Sequence, residues 1–208
     1  MVQPTMRSPA KHPGARASRS IARLLEATKA VFLERGYGGT TVDEIARVAG
    51  MSRASFYTYF PTKRDALLAL GLSANEDSDA LDRETASGLA TGAEDDVRQW
   101  VETRWAQFDH YSGLSIAWTQ AAREDDELRV AGMRRHLSSC RFIGRTLGET
   151  DAHAAEALGV VVFSMIERSW SFCSLYGEGL DHAMVRANIV RAILGMARTG
   201  DRLASGSA

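Results

Sequence analysis

Between Thr40 and Lys63 the chain reads T-T-V-D-E-I-A-R-V-A-G-M-S-R-A-S-F-Y-T-Y-F-P-T-K, a stretch that leaves little choice of local fold. Val42, Ile45, Ala46 and Ala49 recur at i, i+3, i+4 and i+7, which sets one apolar stripe on a helix and turns Asp43, Glu44 and Arg47 elsewhere. Thr41 stands before the stripe with Glu44 three residues on, the spacing of a capping box, so the helix starts there. Gly50 suits the left-handed backbone that closes a helix, and Ser52 offers a fresh N-cap. Pro61 disfavours helical geometry at Phe60, so the second helix runs only from about Arg53 to Tyr59. Two short helices joined by so sharp a turn predict a helix-turn-helix.

A second helix this short spends Phe56 and Phe60 on its neighbours and directs Arg53, Ser55, Thr58 and Tyr59 outward. In a helix-turn-helix that face enters the major groove, where an Arg fork pairs with guanine O6 and N7. Arg53 is therefore the candidate base reader, with the N-cap Ser52 in the same DNA-facing set. Tyr59 and Lys63 stand at the helix exit, where a phenol and an ammonium reach phosphates and fix register. Thr41, a hydroxyl at a helix N-terminus, is a further phosphate candidate.

From Ile21 to Leu70 the chain carries V-F-L-E-R-G-Y-G-G-T-T-V, then D-E-I-A-R-V-A-G-M-S, then F-Y-T-Y-F-P-T-K-R-D-A-L-L. This run, about a quarter of the chain, closely resembles the N-terminal domain of TetR/AcrR-family transcriptional regulators. The resemblance implies a three-helix DNA-binding domain followed by a larger all-helical domain that dimerises and binds an effector. It matches Thr41, Tyr59 and Lys63 to backbone-contacting positions, and Arg53, Ala54, Ser55 and Thr58 to positions facing base edges. Tyr57 matches an aromatic that packs or touches DNA. Arg53 departs mildly from the small or polar residues common at its site, which bears on the bases read.

Charge is divided along the chain. Residues 1 to 70 carry eleven Lys or Arg against five Asp or Glu, a net +6, while residues 71 to 208 carry fourteen against twenty-one, a net -7. The basic end holds the helix-turn-helix, and its attraction to phosphates weakens as salt is added. With 208 residues and a hydrophobic fraction of 45%, the chain suits one DNA-binding module and one domain with its own core. No apolar run approaches the ~20 residues of a spanning helix, and Pro4, Pro9 and Pro13 stand where a signal peptide has its apolar core, so a cytoplasmic location is expected.

Residues 1–18, rich in Pro, Ser, Gly and Ala with Arg7, Lys11 and Arg16, read as a flexible basic arm, either a solubilising tail or a segment that touches DNA. Residues 19–65 form the DNA-binding domain, opened by a bracing helix with Ile21, Leu24 or Leu25, Thr28, Val31 and Phe32 on one face and its end at Gly36. Residues 66–208 form the effector-binding and dimerisation domain. No proline follows Pro61, so long helices are free to form. Periodicity predicts them from about Thr62 to Asp82, with a break around Gly88 and Gly92, then from about Glu94 to Tyr111, Ser112 to Ala122, Asp125 to Leu147, Asp151 to Tyr176 and Asp181 to Leu203. The fold class is all-α.

Leu158, Val161, Val162, Met165 and Ile166, with Val185, Ile189, Ile193, Leu194 and Met196, give the last two helices apolar faces suited to a dimer interface or to intramolecular core, and Ala155 and Gly159 permit close helix approach in either case. Trp100, Trp105, Phe108, Tyr111, Trp118, Phe163 and Trp170 are candidates to line a cavity for an apolar effector, with Gln120 or Arg123 as polar contacts; plain core is the alternative. Cys140 and Cys173 read as small buried hydrophobes in preference to a thiol switch. The histidines show no metal-type spacing, and no cofactor is expected. Acids from Glu124 to Glu127 suit the positive end of a helix dipole. The leading expectation is a dimeric repressor, not an enzyme, that binds a palindromic DNA operator and is released by a small apolar effector. An activator or architectural DNA binder without an effector is the alternative, and a helical-bundle enzyme a minor one.

Overall fold

A computed structural model describes residues 14–177 and 179–205, with side chains described as far as residue 196. The described residues are helical and contain no strand: α1 (Ala15–Gly39), α2 (Val42–Val48), α3 (Arg53–Tyr59), α4 (Lys63–Thr91), α5 (Glu94–His110), α6 (Ser112–Ala121), α7 (Asp126–Thr146), α8 (Ala152–Tyr176) and α9 (His182–Ser205). The all-α expectation holds. Residues 15–18, expected in the arm, already belong to α1; the arm's residues 1–13 lie outside the described part.

The chain forms two compact units that do not follow chain order. The first takes the described residues through Ala74 together with Ser112–Asp125, and the second takes Asn75–Tyr111 with the rest of the chain from Asp126. The expected boundary at 65/66 falls inside the continuous helix α4, and α6 groups with the first unit because it packs along α1.

In the first unit Leu24, Ala27, Val31, Ile45, Ala46, Ala49, Phe56, Phe60 and Ala66 make the core, with Ile21, Leu25 and Val42 packed against it. The predicted stripes are thus the buried ones. Burying a side chain the size of Leu or Phe contributes about 1.5–3 kcal/mol, so three short helices hold together through a few large residues. Gly113 on α6 is buried, and a Cβ there would overlap the Lys29 carbonyl oxygen of α1, which shows how close the two backbones run.

The second unit centres on Leu89, Val97, Trp100, Val101, Trp105, Ile143, Val162, Ile166, Trp170, Ile189, Val190 and Ile193. α7 and α8 pair antiparallel, with Gly144 against Ala155 and Cys140 against Gly159; a Cβ on either glycine would overlap the facing carbonyl. α4 runs past its expected end near Asp82, through Gly88, to Thr91, and the break expected around Gly88 and Gly92 falls at Gly92, whose φ of +64° ends the helix. Leu89, buried in this core, carries the helix past Gly88.

Two further expectations change. α8 is, by length and composition, apolar enough to cross a membrane, although its sequence contains no long unbroken apolar run. Core helices of soluble proteins pass the same test, and here Ala155, Gly159, Val162, Ile166, Trp170 and Cys173 are buried within the unit. For the same reason Val162, Ile166, Ile189, Ile193 and Leu194 belong to intramolecular core, with Leu158, Met165, Val185 and Met196 packed against it. Val161 remains exposed, as do Phe172, Leu175, Tyr176, Leu180 and Met184 around the end of α8 and the start of α9.

Candidate nucleic-acid interface

Local chemistry fixes α2 and α3. Thr41 and Glu44 complete the capping box: the Glu44 N–H donates to Thr41 Oγ1 at 3.3 Å and the Thr41 N–H to Glu44 Oε2 at 3.4 Å. Gly50 adopts φ +63°, closing the turn, and Ser52 caps α3 by accepting the Ser55 N–H at 3.1 Å. Phe60 leaves α3 with φ -131° and ψ 114°, the extended backbone required before Pro61. Phe56 and Phe60 point inward with ring centroids 5.7 Å apart.

The outward face of α3 presents Arg53, Ala54, Tyr57 and Thr58, with Ser52 beside them at the cap and Ser55 half-buried. Arg53 is held on the surface in two ways. Its Nη1 donates to Asp43 Oδ2 of α2 at 2.7 Å, and its guanidinium lies over the Tyr57 ring with Nη2 donating to the hydroxyl at 3.3 Å. The Tyr57 hydrogen bond and then the Asp43 carboxylate push its pKa further up, so the fork stays charged. Thr58 Oγ1 donates back to the Ala54 carbonyl at 3.1 Å.

Two expected phosphate contacts have other attachments. Tyr59 is half-buried and packs on the core of the first unit. Lys63 donates to the carbonyls of Tyr37 at 2.7 Å and Thr40 at 3.0 Å and sits 4.5 Å from the Tyr37 ring centroid, which ties the start of α4 to the end of α1. Desolvation by burial lowers its pKa. Asp43, which the apolar stripe turns away from the core, proves to be the partner of the candidate base reader. An acid and an arginine ten residues apart across a turn carry no local signal of pairing.

The aromatic candidates do not form one site. Trp100, Trp105 and Trp170 are buried core of the second unit, Phe108 stacks on Trp170 at 5.6 Å, and Phe163 meets Phe108 edge-on. Trp170 Nε1 donates to Asp109 at 2.6 Å and the Tyr111 hydroxyl donates to Asp77. Trp118 belongs to the first unit, where its ring lies against Gly71. Gln120 likewise serves the first unit, accepting the Tyr37 N–H at 2.6 Å. Sequence reading missed a buried polar group: Arg104 on α5 pairs with Asp82 on α4, donates to Gln107 at 2.8 Å and to Ser78 at 3.2 Å, and lies over Trp100. An open cavity of about 350 Å³ lies among Glu102, Trp105, Asp109, Cys173, His182 and Arg186.

A capped helix of two turns, braced by two others and showing an exposed arginine and hydroxyls, defines a helix-turn-helix DNA-binding protein. Residues 24–70 match the family described as bacterial regulatory proteins, tetR family. The chain is 32% identical over 130 residues to the HTH-type transcriptional regulator CymR of Pseudomonas putida, a stretch covering 62% of this chain and 63% of that relative. Among solved structures it resembles a transcriptional regulator from Aquifex aeolicus VF5 with a TM-score of 0.66, at 18% identity, covering 84% of this chain and 97% of the other. It also resembles FadR of Bacillus subtilis, solved in complex with stearoyl-CoA, with a TM-score of 0.61, at 17% identity, covering 83% and 97%. At such identities the structural likenesses establish the fold. Residues 24–70 therefore carry the DNA-binding helix-turn-helix of the tetR family of bacterial regulatory proteins.

Proposed function

We propose that the chain is a dimeric transcriptional repressor that reads a palindromic operator through α3 and is released by a small effector with a large apolar part. The observation that carries this reading is the exposed Arg53, Ala54, Tyr57 and Thr58 face on a braced recognition helix within the basic end of the chain. Residues 19–65 read DNA, with Thr41 at the backbone, Ser52 and Ser55 beside the reading face, and Tyr59 and Lys63 holding the reading helix in place. Residues 66–208 include the second unit, which dimerises and takes the effector, and the protein works in the cytoplasm. The chain spans 63% of the length of the CymR relative it matches, and the whole-protein roles are proposals.

The exposed Val161, Phe172, Leu175, Tyr176, Leu180 and Met184 support a second copy as the partner of α8 and α9, since an uncovered apolar patch of this kind marks an interaction site. Two recognition helices then meet half-sites about 34–36 Å apart. The stearoyl-CoA held by the B. subtilis neighbour supports an acyl or other apolar effector. A ligand that prefers the DNA-incompetent arrangement by about 1–3 kcal/mol lowers operator affinity by about 5–150-fold. α4 is the simplest mechanical link, because one helix supplies residues to both units.

Gel retardation of the chain's own promoter fragment, with and without a panel of acyl and aromatic compounds, tests both halves. Retardation followed by release is expected; retardation that no compound reverses contradicts the effector. Footprinting separates the repressor from an architectural binder, one defined palindrome supporting the former and broad coverage the latter.

A further inference from the structure

α6 is ten residues long and lies along α1, with Gly113, Ala117 and Ala121 at every fourth position on its buried face. The residue before Ala121 does something the packing does not require. At Gly36 the backbone of α1 leaves the helical path, with φ +65° and ψ 178°, a conformation that L side chains rarely adopt. The next amide, Tyr37 N–H, donates to Gln120 Oε1 at 2.6 Å. A Cβ on Gly36 would stand 2.6 Å from that oxygen and 2.7 Å from the Gln120 nitrogen, so the carboxamide fills the space the glycine leaves open.

The turn so held is the entry to the reading helices. Thr40 Oγ1 donates to the Gly36 carbonyl at 2.6 Å, Lys63 donates to the Tyr37 and Thr40 carbonyls, and Thr41 caps α2. α2 in turn carries Asp43, the partner of Arg53 on α3. On the other side of the latch, the Arg64 guanidinium meets Asp125 through Nε at 2.5 Å and Nη2 at 3.2 Å, fixing the chain just beyond α6 to the start of α4.

We infer that Gln120 is a positioning residue for DNA reading: its carboxamide oxygen holds the Gly36–Thr40 turn in the setting that orients α2 and α3. The inference rests on the DNA-reading function proposed above. The determinant is an acceptor at this position. A carboxylate in its place keeps the turn, and an apolar side chain of the same length does not.

The test compares Gln120→Met and Gln120→Glu with the full-length wild-type protein, using the duplex that the wild-type protein enriches from a random-sequence pool and a scrambled duplex of equal length. Gln120→Met is expected to lose about tenfold in affinity for the enriched duplex, the size of one net hydrogen bond. Its affinity for the scrambled duplex, which depends on phosphates, is expected to stay unchanged. Hydrogen exchange at the Tyr37 amide accelerates about tenfold in the same variant. Gln120→Glu is expected to keep wild-type values in all three. Unchanged specific affinity or unchanged Tyr37 exchange in Gln120→Met overturns the inference, as does equal loss in both variants. Should circular dichroism show Gln120→Met unfolded, Gln120→Glu alone decides, and loss of its specific affinity contradicts the latch. Failure of the wild-type protein to enrich any duplex contradicts the DNA-reading function instead, and the exchange measurement still decides whether the latch exists.

Discussion

Arg53 on α3 and Asp43 on α2 form an ion pair of 2.7 Å with both side chains more than half exposed. To act as the proposed base reader, Arg53 must leave this carboxylate, and the carboxylate itself repels phosphates. Exposed pairs contribute about 0.2–1 kcal/mol, so the restraint is weak and the exchange easy.

Asp43→Ala is therefore expected to tighten operator binding by about two- to fivefold, chiefly through the removed competitor. Arg53→Ala is expected to cost about 1–3 kcal/mol on the preferred sequence and to relax discrimination at one base position. Fluorescence anisotropy on a duplex and its single-base variants checks both; equal losses on every sequence would assign Arg53 to phosphate contact.

Lys63 separates stability from DNA contact. Its ammonium caps two carbonyls at the end of α1, so Lys63→Met is expected to lower unfolding free energy by about 1–3 kcal/mol. The slope of log affinity against log salt stays as in the wild type if the ammonium remains on those carbonyls, whereas a slope smaller by about one unit would show a phosphate contact. Urea denaturation and a salt titration give the two numbers.

The helix-turn-helix was legible because its signals are local. The stripe at Val42, Ile45, Ala46 and Ala49, the Thr41 and Ser52 caps, and Pro61 each act within a few residues, and each appears where expected. What escaped is tertiary. Arg104 and Asp82 meet across 22 residues, and Trp118 and Gln120 fall with α1 because α6 lies on it through Gly113. Composition along α6 does not distinguish that partner from any other helix face. Intramolecular burial of α8 was foreseen only as one of two possibilities and its partner α7 not at all, since small residues permit close approach to any neighbour.

Gly159→Ala tests the α7–α8 contact. A methyl group there collides with the Cys140 backbone, so an overpacking cost of about 1–3 kcal/mol or more is expected, measured by urea unfolding. Ala157→Gly, at an exposed site on the same helix, costs only about 1 kcal/mol. Equal effects would mean that the two helices do not approach closely.

Cys140 is buried and its thiol is pushed up to about 11, chiefly by desolvation. At neutral pH it is a thiol and not the thiolate that reacts. A disulfide reagent is expected to leave it unmodified in the native protein and to label it after unfolding, as peptide mass mapping would show. Rapid native labelling would contradict its burial.

Asp151 caps α8 by accepting the His153 and Ala154 N–H groups at 2.9 Å, and these bonds hold its pKa below the ordinary 3.8, that of Ala154 first. A lowered folded-state pKa means the cap stabilises the fold above the unfolded value and loses that contribution as pH falls through the folded value. Asp151→Asn keeps a capping oxygen without the titration, so its stability between neutral pH and about pH 3 is expected to fall less steeply than the wild type's. Parallel acid-dependence curves would remove the cap from the account.

The central claim is that the exposed face of α3 reads duplex DNA, and the most direct measurement is low-salt binding of the chain's own promoter fragment by wild-type protein and by the triple variant Arg53→Ala, Tyr57→Ala, Thr58→Ala. These side chains are exposed, so the fold survives their loss. Tight, sequence-dependent binding that the triple variant loses is the predicted result; a variant that still prefers the same fragment as strongly as the wild type would contradict it.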